Sequence, residues 1–286
     1  MKELLKKAEI LIEAFPYIKE FSGKTFVIKY GGSAMADEGL KRSVMEDIVL
    51  MKFVGINPII VHGGGKHISD LLARLGKKST FVDGLRVTDK DTMDVTLMVL
   101  AGLLNKEIVS MIHNVGGQAV GISGKDGNCI EGKRIKSKKA DFGFVGEITK
   151  INPAIIDILD SAKFIPVLSP IAIGKNGESL NINADVAASE IAGVLKAEKL
   201  IFLTDIKGIL KDKNKESSLY SHLNIKECRE LIKKGIASEG MLPKIDSCIK
   251  ALSTGVRKIH IINGKTPHGL LLEIFTKHGI GTEIVK

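Results

Sequence analysis

The sequence has few of the residues that specify disulfide-rich or zinc-stabilised proteins. Its 286 residues include three cysteines, at positions 129, 228 and 248, and no tryptophan. Three cysteines without a CxxC pair do not build a disulfide framework or match a structural zinc site, and they are typical of a protein in a reducing compartment. We therefore expect a cytoplasmic protein whose thiols are inert.

Long uncharged apolar runs are also lacking. The longest candidate, residues 95–104, is bounded by Asp94 and Asn105 and is shorter than the roughly 18 residues that a membrane span needs. The first turn contains Lys2 and Glu3, unlike the apolar core of a signal peptide. We predict no membrane association and no secretion.

Basic residues outnumber acidic ones, 42 to 33, which gives a net charge of +9. This balance is compatible with nucleic-acid binding, with an anionic small substrate, or with a lysine-rich solvated surface. The chain lacks a basic tail and the aromatic signature of RNA-binding domains. We therefore expect no nucleic-acid partner.

Apolar periodicity predicts an α/β fold. Short strand-like runs at residues 25–30 and 58–61 each end in glycines and precede a helical pattern, and the same rhythm returns at residues 164–168, 184–195 and 199–204. Alternating strands and helices of this kind predict a mainly parallel sheet with crossover helices. We also expect helices at residues 224–234 and 242–254, a strand at 258–262, hairpins across the sheet at 116–148, and an N-terminal amphipathic helix that ends at Pro16.

Two glycine-rich turns follow predicted strands. One is Lys29-Tyr30-Gly31-Gly32, and the other is the run of glycines after His62, at residues 63–65. Glycines at strand ends let backbone N–H groups approach a phosphate closely, but they also form ordinary tight turns. Neither segment fits the P-loop or the dinucleotide fingerprint. If a nucleotide binds here, its site is of another kind.

Three further segments place polar residues near predicted turns. Arg86 follows a glycine turn and could hold a carboxylate with its planar guanidinium, or could lie on the surface. Asn181, Asn183 and Asp185 precede an apolar helix, where helix capping is the alternative to ligand binding. Lys244 lies at a predicted helix start, where a cation is unfavourable unless an anion is nearby.

Taken together, these motifs resemble the N-acetyl-L-glutamate kinases, a branch of the amino acid kinase family. The resemblance covers nearly the whole chain in order and rests on segments that are each weak alone. It implies a three-layer αβα sandwich around a mainly parallel sheet with an extra N-terminal helix. It further implies an N-terminal oligomerisation helix at residues 1–22, an acyl-amino-acid-binding lobe at 23–196 and a nucleotide-binding lobe at 197–286. The motifs that carry the resemblance are 29–32, 61–65, 84–88, 121–127, 142–146, 181–185, 203–205 and 240–244.

The resemblance implies phosphoryl transfer from ATP to the side-chain carboxylate of N-acetyl-L-glutamate, the second step of arginine biosynthesis. It implies that Lys29 and Lys244 stabilise the transferred phosphoryl group and that Asp185 holds both lysines. Magnesium is expected on the ATP phosphates, without a protein ligand. For the other sites, it implies substrate contacts at Gly64, Gly65, Arg86 and Asn181, and nucleotide contacts at Gly31, Gly32, Asp205, Gly208, Ile236 and Ser238.

Other activities on the same fold stay open at this point. A kinase for glutamate, aspartate or carbamate would share the glycine turns and the lysine pair and would differ around Arg86 and Asn181. A catalytically idle, arginine-sensing binding module is an alternative of another class. The presence of Lys29, Asp185 and Lys244 argues against that alternative.

Both ends of the chain resemble the arginine-inhibited, hexameric type of these kinases. The resemblance implies that N-terminal helices interlace to join dimers into a trimer of dimers, and that L-arginine binds near that helix. Glu273, Gly279 and Gly281 are the predicted effector-site residues, since a carboxylate suits a guanidinium and glycines allow close backbone contact. Six histidines show no metal spacing and are expected in solvated or capping roles, at positions 67, 113, 222, 260, 268 and 278.

Overall fold

The structure is a computed structural model, and it describes residues 1–35, 37–138, 140–212, 215–234 and 241–286. Its strands in chain order are β1 (Thr25–Tyr30), β2 (Asn57–His62), β3 (Phe81–Val82), β4 (Leu85–Arg86), β5 (Ala119–Ser123), β6 (Ile130–Arg134), β7 (Gly146–Ile151), β8 (Ile165–Ser169), β9 (Ile171–Ile173), β10 (Ser179–Asn181), β11 (Lys199–Thr204), β12 (His222–Asn224), β13 (Lys258–Asn263) and β14 (Thr282–Val285).

Its α-helices are α1 (Lys2–Phe21), α2 (Glu38–Phe53), α3 (Gly65–Arg74), α4 (Lys90–Leu97), α5 (Asn105–Asn114), α6 (Ala154–Ser161), α7 (Ala184–Val194), α8 (Ile225–Lys233), α9 (Leu242–Thr254) and α10 (Gly269–Ile274). A π-helix, Met98–Leu104, joins α4 to α5, and a 3-10 turn, Gly32–Met35, follows β1. The predicted helices at 184–195, 224–234 and 242–254 are confirmed to within one residue at each end, and α2 is the helical pattern expected after residues 25–30.

An eight-stranded sheet has the order β12-β14-β13-β11-β1-β2-β8-β5. Its neighbours are parallel except β13 and β14, which are antiparallel. Helices cover both faces, with α7, α8 and α9 contributing to one apolar core and α2, α5 and α10 to the other. The predicted three-layer α/β sandwich with a mainly parallel sheet is confirmed.

Residues 116–148 differ in part from the predicted hairpins. The β6–β7 hairpin forms, within a four-stranded sheet of order β10-β9-β6-β7, but β5 is an edge strand of the main sheet and pairs in parallel with β8. The main sheet also runs across the predicted lobe boundary at 196, because β1 pairs with β11 on one side and β2 on the other. The division into lobes stays a prediction.

The N-terminal helix extends beyond its predicted end. Helix α1 continues through Pro16 to Phe21. Proline removes one backbone donor, but Tyr17 and Phe21 pack on the core next to α2, which holds the final turn in place. The first half of α1, by contrast, exposes its apolar side chains, among them Leu11 and Ile12.

The continuous helical run Lys90–Asn114 is long and apolar enough to cross a membrane by length and composition alone. In the structure, 44% of its most apolar stretch is buried, and side chains such as Val99, Leu104 and Ile108 belong to the cores beneath it. Core packing therefore accounts for the buried part of this stretch, while Met98 and Leu103 are exposed.

Candidate active site

A cavity of about 260 Å³ lies at the carboxyl ends of β1 and β2. Ligands in open α/β folds bind at this edge of the sheet. The first residues of α3 and α7 also line the cavity, and helix N-termini favour anions because their N–H groups are unpaired. The predicted residues in its lining are Lys29, Gly32, Gly64, Gly65, Arg86, Asn181 and Asp185.

Lys29 and Lys244 converge on one carboxylate. Asp185, in the first turn of α7, lies 2.6 Å from Lys244 Nζ through Oδ2 and 3.2 Å from Lys29 Nζ through Oδ1. The two lysines are 215 residues apart in sequence, and β1 and α9 present them from different elements. Asn183 caps α7 by accepting from the backbone N–H groups of Asp185 and Val186, so the Asp185 side chain is free to face the lysines.

The charges of the lysines keep Asp185 ionised. Burial alone would raise the pKa of this carboxyl, but the charges of Lys29 and Lys244 outweigh burial and lower it below its ordinary value. Oδ1 makes no hydrogen bond of good geometry, and its contact with Lys29 is electrostatic. The carboxylate therefore serves as an anchor for two ammonium groups and is poorly suited to accept a proton.

The glycines of the two turns permit close approaches. A Cβ on Gly31 would lie 3.2 Å from Lys29 Nζ, so a side chain there would crowd the folded-back lysine. A Cβ on Gly64 would overlap the side chains of Leu100 and Leu104 in the π-helix region. Gly32 has a φ of 61° and open space around it, which fits a turn that only glycine adopts easily.

Arg86 is buried at the other side of the cavity, with only 7% of its surface exposed. Its guanidinium donates to Ser79 Oγ at 2.5 Å, to Ser69 Oγ at 2.9 Å and to the Gly65 carbonyl at 2.7 Å, and it lies over the Phe81 ring. Burial lowers its pKa. Within the described ranges, no carboxylate pairs with Arg86, so a buried cation faces the cavity with only neutral partners.

Asn181 joins the cavity wall to the segment that carries Arg86. Its amide nitrogen donates to Thr88 Oγ1 at 3.2 Å, and the Thr88 hydroxyl donates to the Arg86 carbonyl at 2.7 Å. The Asn181 backbone N–H donates to the Phe144 carbonyl. The side chain is thus held at the cavity surface by a defined partner.

Two of the predicted nucleotide contacts, Asp205 and Gly208, lie in the loop that follows β11. Asp205 follows β11 and is exposed, while Gly208 is buried with a φ of 149° and packs so tightly that a Cβ would overlap Thr282. Ile236 and Ser238 lie outside the described residues. Gly208 therefore allows the loop after β11 to pack against β14.

A second cavity, of about 320 Å³, lies beside the end of α1. Of the three predicted effector residues, Glu273 and Gly279 line it and Gly281 does not. Glu273 is already engaged, because Oε1 accepts from His260 Nδ1 at 2.6 Å and Oε2 accepts from the backbone N–H groups of Ile280 and Gly281. Both carboxylate oxygens of Glu273 are therefore occupied by protein donors.

Sequence reasoning missed the buried ionic network of this cavity. His260 was expected in a solvated or capping role, and that prediction is wrong because only 2% of it is exposed. Its Nε2 accepts from Lys199 Nζ at 2.8 Å. Burial lowers the pKa of Lys199 to about 8. Glu283 pairs with Lys258 at 3.1 Å, and the exposed Glu20 lines the same cavity from the end of α1. The sequence signal for this network is the alternation of polar and apolar residues at the start of β13.

The described residues contain no group of three or more His, Cys, Asp or Glu side chains arranged to hold a metal ion. All three cysteines are buried, and burial raises the pKa of the Cys129 and Cys228 thiols to about 11. The thiols are therefore protonated and poorly reactive at neutral pH.

Comparison with known proteins agrees with this geometry. The model of the amino acid kinase family matches residues 24–263. An acetylglutamate kinase from Heliobacterium modesticaldum is 52% identical, with 100% of both chains covered. One from Thermoanaerobacter pseudethanolicus is 55% identical over 99% of this chain and 94% of the relative, and one from Aquifex aeolicus is 52% identical over 99% of each.

Solved structures share the fold. An N-acetylglutamate synthase from Neisseria gonorrhoeae, complexed with coenzyme A and N-acetyl-glutamate, matches with a TM-score of 0.87 at 28% identity over 98% of this chain and 63% of that longer chain. A carbamate kinase from Giardia lamblia, bound to AMP-PNP, matches with a TM-score of 0.64 at 18% identity over 92% and 99% of the two chains. Because the family model covers most of the chain and full-length relatives exceed half identity, the chain belongs to the amino acid kinase family and is an enzyme of the kinase type.

Proposed function

We propose that the protein transfers the γ-phosphoryl group of ATP to the side-chain carboxylate of N-acetyl-L-glutamate, the second step of arginine biosynthesis. The observation that carries this proposal is the convergence of Lys29 and Lys244 on Asp185. Lys29 and Asp185 line a cavity that the buried Arg86 also lines. Full-length relatives named acetylglutamate kinase support the same substrate.

The proposed chemistry needs positive charge and alignment. A carboxylate oxygen of the substrate attacks the γ-phosphorus, the bond to the β-phosphate oxygen breaks, and ADP leaves. Because the nucleophile is already an anion, no proton has to be removed, and catalysis reduces to positioning and charge stabilisation. Lys29 and Lys244 supply that charge, and Asp185 keeps the two ammonium groups together against their mutual repulsion.

Backbone donors complete the phosphate site in this proposal. Gly31, Gly32 and Gly64 offer N–H groups to phosphate oxygens, and Gly65 contacts the acyl substrate. The N-terminus of α3, where Gly64 and Gly65 lie, adds its dipole to the attraction for an anion. These roles follow from the glycine turns at the ends of β1 and β2.

Selectivity for the amino-acid substrate is assigned to the far side of the cavity. Arg86 binds the α-carboxylate, because its buried guanidinium pairs with no carboxylate among the described residues. Asn181 holds the acetylamino group through its side-chain oxygen and its second amide N–H, which the hydrogen bond to Thr88 leaves available. A free amino group on L-glutamate would bring a second cation near Arg86, so the acetylated substrate fits better.

ATP is the proposed cosubstrate, with Asp205, Gly208, Ile236 and Ser238 on the adenosine side. Mg²⁺ is expected to arrive on the ATP phosphates, where it supplies charge neutralisation for the leaving group. The protein groups that stabilise the charge on the transferred phosphoryl group are Lys29 and Lys244.

A substrate panel tests the proposal. ADP release is measured with N-acetyl-L-glutamate, N-acetyl-L-aspartate and L-glutamate, and the acyl phosphate product is trapped with hydroxylamine as a hydroxamate. We expect turnover and hydroxamate with N-acetyl-L-glutamate and negligible turnover with L-glutamate. Preference for L-glutamate would refute the substrate assignment, and calorimetric binding of L-arginine without any turnover would favour the idle sensor.

We also propose that L-arginine inhibits the enzyme by binding in the second cavity, and that α1 joins dimers into a hexamer. Support comes from the exposed apolar side chains in the first half of α1, such as Leu11, Ile12 and Phe15, which are 72%, 74% and 62% exposed. The last turn of α1 lines the cavity through Tyr17 and Glu20. Any ligand there would thus contact the helix that is proposed to hold the assembly.

Deleting residues 1–16 tests this regulatory proposal, because it removes the exposed half of α1 and keeps Tyr17 and Glu20, which line the cavity. We expect dimers by light scattering and weaker inhibition by arginine. A full-length Leu11→Asp variant is the matched control, because it removes an exposed apolar contact of α1 and keeps every residue of the helix. An unchanged mass in both variants would refute the role of α1.

We also propose a cytoplasmic location for the enzyme and a division into two lobes, at residues 23–196 and 197–286.

A further inference from the structure

His62 is a buried residue next to the second glycine turn that the proposed reaction does not yet use. It ends β2, pairs in register with Tyr30 of β1, and has no exposed surface. Its Nδ1 lies 3.0 Å from the carbonyl oxygen of Gly63, and its Nε2 lies 3.3 Å from the amide nitrogen of Asn105. Both ring nitrogens therefore have a partner on the inner side of the turn.

Asn105 determines which ring nitrogen carries the hydrogen. Its amide nitrogen also lies 3.0 Å from the Val167 carbonyl and 3.3 Å from the Ile122 carbonyl, and carbonyls only accept hydrogen bonds. Its oxygen accepts from Lys106 Nζ at 3.1 Å. The amide nitrogen therefore faces the ring and cannot accept a hydrogen bond, while the Gly63 carbonyl can only accept one, so Nδ1 carries the hydrogen and Nε2 does not.

The pKa of the ring agrees with this neutral tautomer. Burial lowers the pKa of His62 to about 4, so the ring is uncharged at neutral pH. A neutral ring with a hydrogen on Nδ1 donates to the Gly63 carbonyl.

The hydrogen bond to Gly63 fixes a peptide group that would otherwise turn easily. The Gly63 carbonyl and the Gly64 N–H belong to the same peptide, which is trans, and in a trans peptide these two groups point in opposite directions. Glycine on both sides gives this peptide the widest backbone freedom. With its carbonyl held by the ring, the peptide directs the Gly64 N–H away from His62, and Gly64 lines the active-site cavity.

We propose that His62 is a positioning residue that holds the Gly63–Gly64 peptide so that the Gly64 N–H faces the phosphoryl group in the cavity, with Asn105 fixing the ring. This inference rests on the proposed kinase function. It explains why the Gly64 N–H, within a flexible run of three glycines, keeps one orientation towards the cavity. The π-helix beside Asn105 brings Leu100 and Leu104 against Gly64, so the same segment holds the turn from both sides.

Two variants separate the nitrogens of the ring. In His62→Asn the side-chain amide occupies the position of Nδ1 and can donate to Gly63, while the contact with Asn105 is lost. In His62→Gln the amide reaches the position of Nε2 and keeps the contact with Asn105, while the donor to Gly63 is lost. We expect kcat within about threefold of wild type for His62→Asn. For His62→Gln we expect kcat to fall by roughly ten- to a hundredfold, because a misdirected donor should cost no more than the roughly hundredfold or greater loss caused by removing a donor outright. We expect the KM values to stay within about threefold of wild type.

A purely structural role for His62 predicts a different pattern. If His62 matters only for packing or for its link to Asn105, His62→Gln will keep kcat as well as His62→Asn does or better, and that result would overturn the proposal. The substrate KM values provide a second check, because loss of ground-state binding would raise KM at constant kcat.

The tautomer is measured on the wild-type protein with ¹⁵N-labelled histidine. We expect nuclear magnetic resonance at pH 7 to show a neutral His62 ring with hydrogen on Nδ1, and hydrogen on Nε2 would overturn the proposal whatever the variants do. Absence of N-acetyl-L-glutamate-dependent ADP release from wild type would defeat the proposed function instead, and the tautomer would still decide whether His62 holds the turn.

Discussion

The buried ring of His62 makes stability depend on pH in a direction that the structure determines. Burial lowers its pKa from the ordinary 6.5 to about 4. Above pH 6.5 the ring is neutral in both the folded and the unfolded protein, and its contribution to stability is complete. As the pH falls below 6.5, the unfolded chain binds a proton that the folded chain binds only near pH 4, so stability is lost across this window.

The magnitude follows from the shift. Each pKa unit corresponds to about 1.4 kcal/mol, so lowering the pH from about 7.5 to about 4.5 should remove about 2 to 3 kcal/mol from the free energy of unfolding. Asp47 acts in the opposite direction, because burial raises its pKa from 3.8 to about 6. Its contribution is complete below pH 3.8 and is lost as the pH rises through 6.

The assay therefore compares two proteins at two pH values. The free energy of unfolding is measured by urea titration for wild type and His62→Asn at one protein concentration. The Asp47 contribution is common to both and cancels in the difference. We expect wild type to lose about 2 to 3 kcal/mol more than the variant between the two pH values. Equal losses in the two proteins would refute the reasoning, and so would a His62 ring that titrates near pH 6.5 by nuclear magnetic resonance.

Three further substitutions probe the cavity. Lys29→Met should lower kcat by roughly a hundredfold or more with a smaller change in the KM for ATP, and a near-normal kcat in steady-state kinetics would contradict its role in charge stabilisation. Arg86→Lys should raise the KM for N-acetyl-L-glutamate by about tenfold or more, because one ammonium cannot replace a planar fork with three protein partners; an unchanged KM would place the α-carboxylate elsewhere. Gly64→Ala should lower the melting temperature and kcat together, because its Cβ overlaps Leu100 and Leu104, and wild-type values for both would show that the turn has room.

Much of the fold could be predicted because the strands carry their own signals. Residues 25–30 and 199–204 are nearly continuous apolar runs, as expected for strands buried on both faces of a parallel sheet. The glycine turns after β1 and β2 then placed both loops at one edge of the sheet, and the structure brings Lys29 and Gly64 into one cavity. The positions of loops that follow parallel strands can be predicted from sequence, because the carboxyl ends of those strands lie side by side.

Features that depend on distant partners could not be predicted. Pro16 was expected to end α1, but the packing of Tyr17 and Phe21 on the core keeps the helix intact, and no local pattern reports that packing. His260 looked like any polar residue in a strand, and its burial follows from Glu273 and Lys199, which reach it from other elements. Local sequence predicts elements well, whereas buried polar pairs are determined only when the chain is folded.

The two cavities lie at opposite ends of the parallel strands, the first at the carboxyl ends and the second at the amino ends. The rigidity of the strands between them limits how a change in one cavity can reach the other. Lys199 begins β11 in the second cavity, and β11 ends at Thr204, beside Asp205. A six-residue strand spans about 20 Å, and central strands bonded on both sides are too rigid to move independently of the sheet.

Helix α10 offers a connection that bypasses the strands. It carries Glu273 in the second cavity, and its first turn is held by the fully buried Asp47 of α2, which accepts from His268 Nδ1 at 2.6 Å. The His268 backbone N–H also donates to Ser43 Oγ of α2 at 2.6 Å. Helix α2 in turn contacts the 3-10 turn that begins at Gly32. These contacts form a continuous path of packed elements from α10 to the glycine turn at the end of β1, and the path does not pass through the sheet.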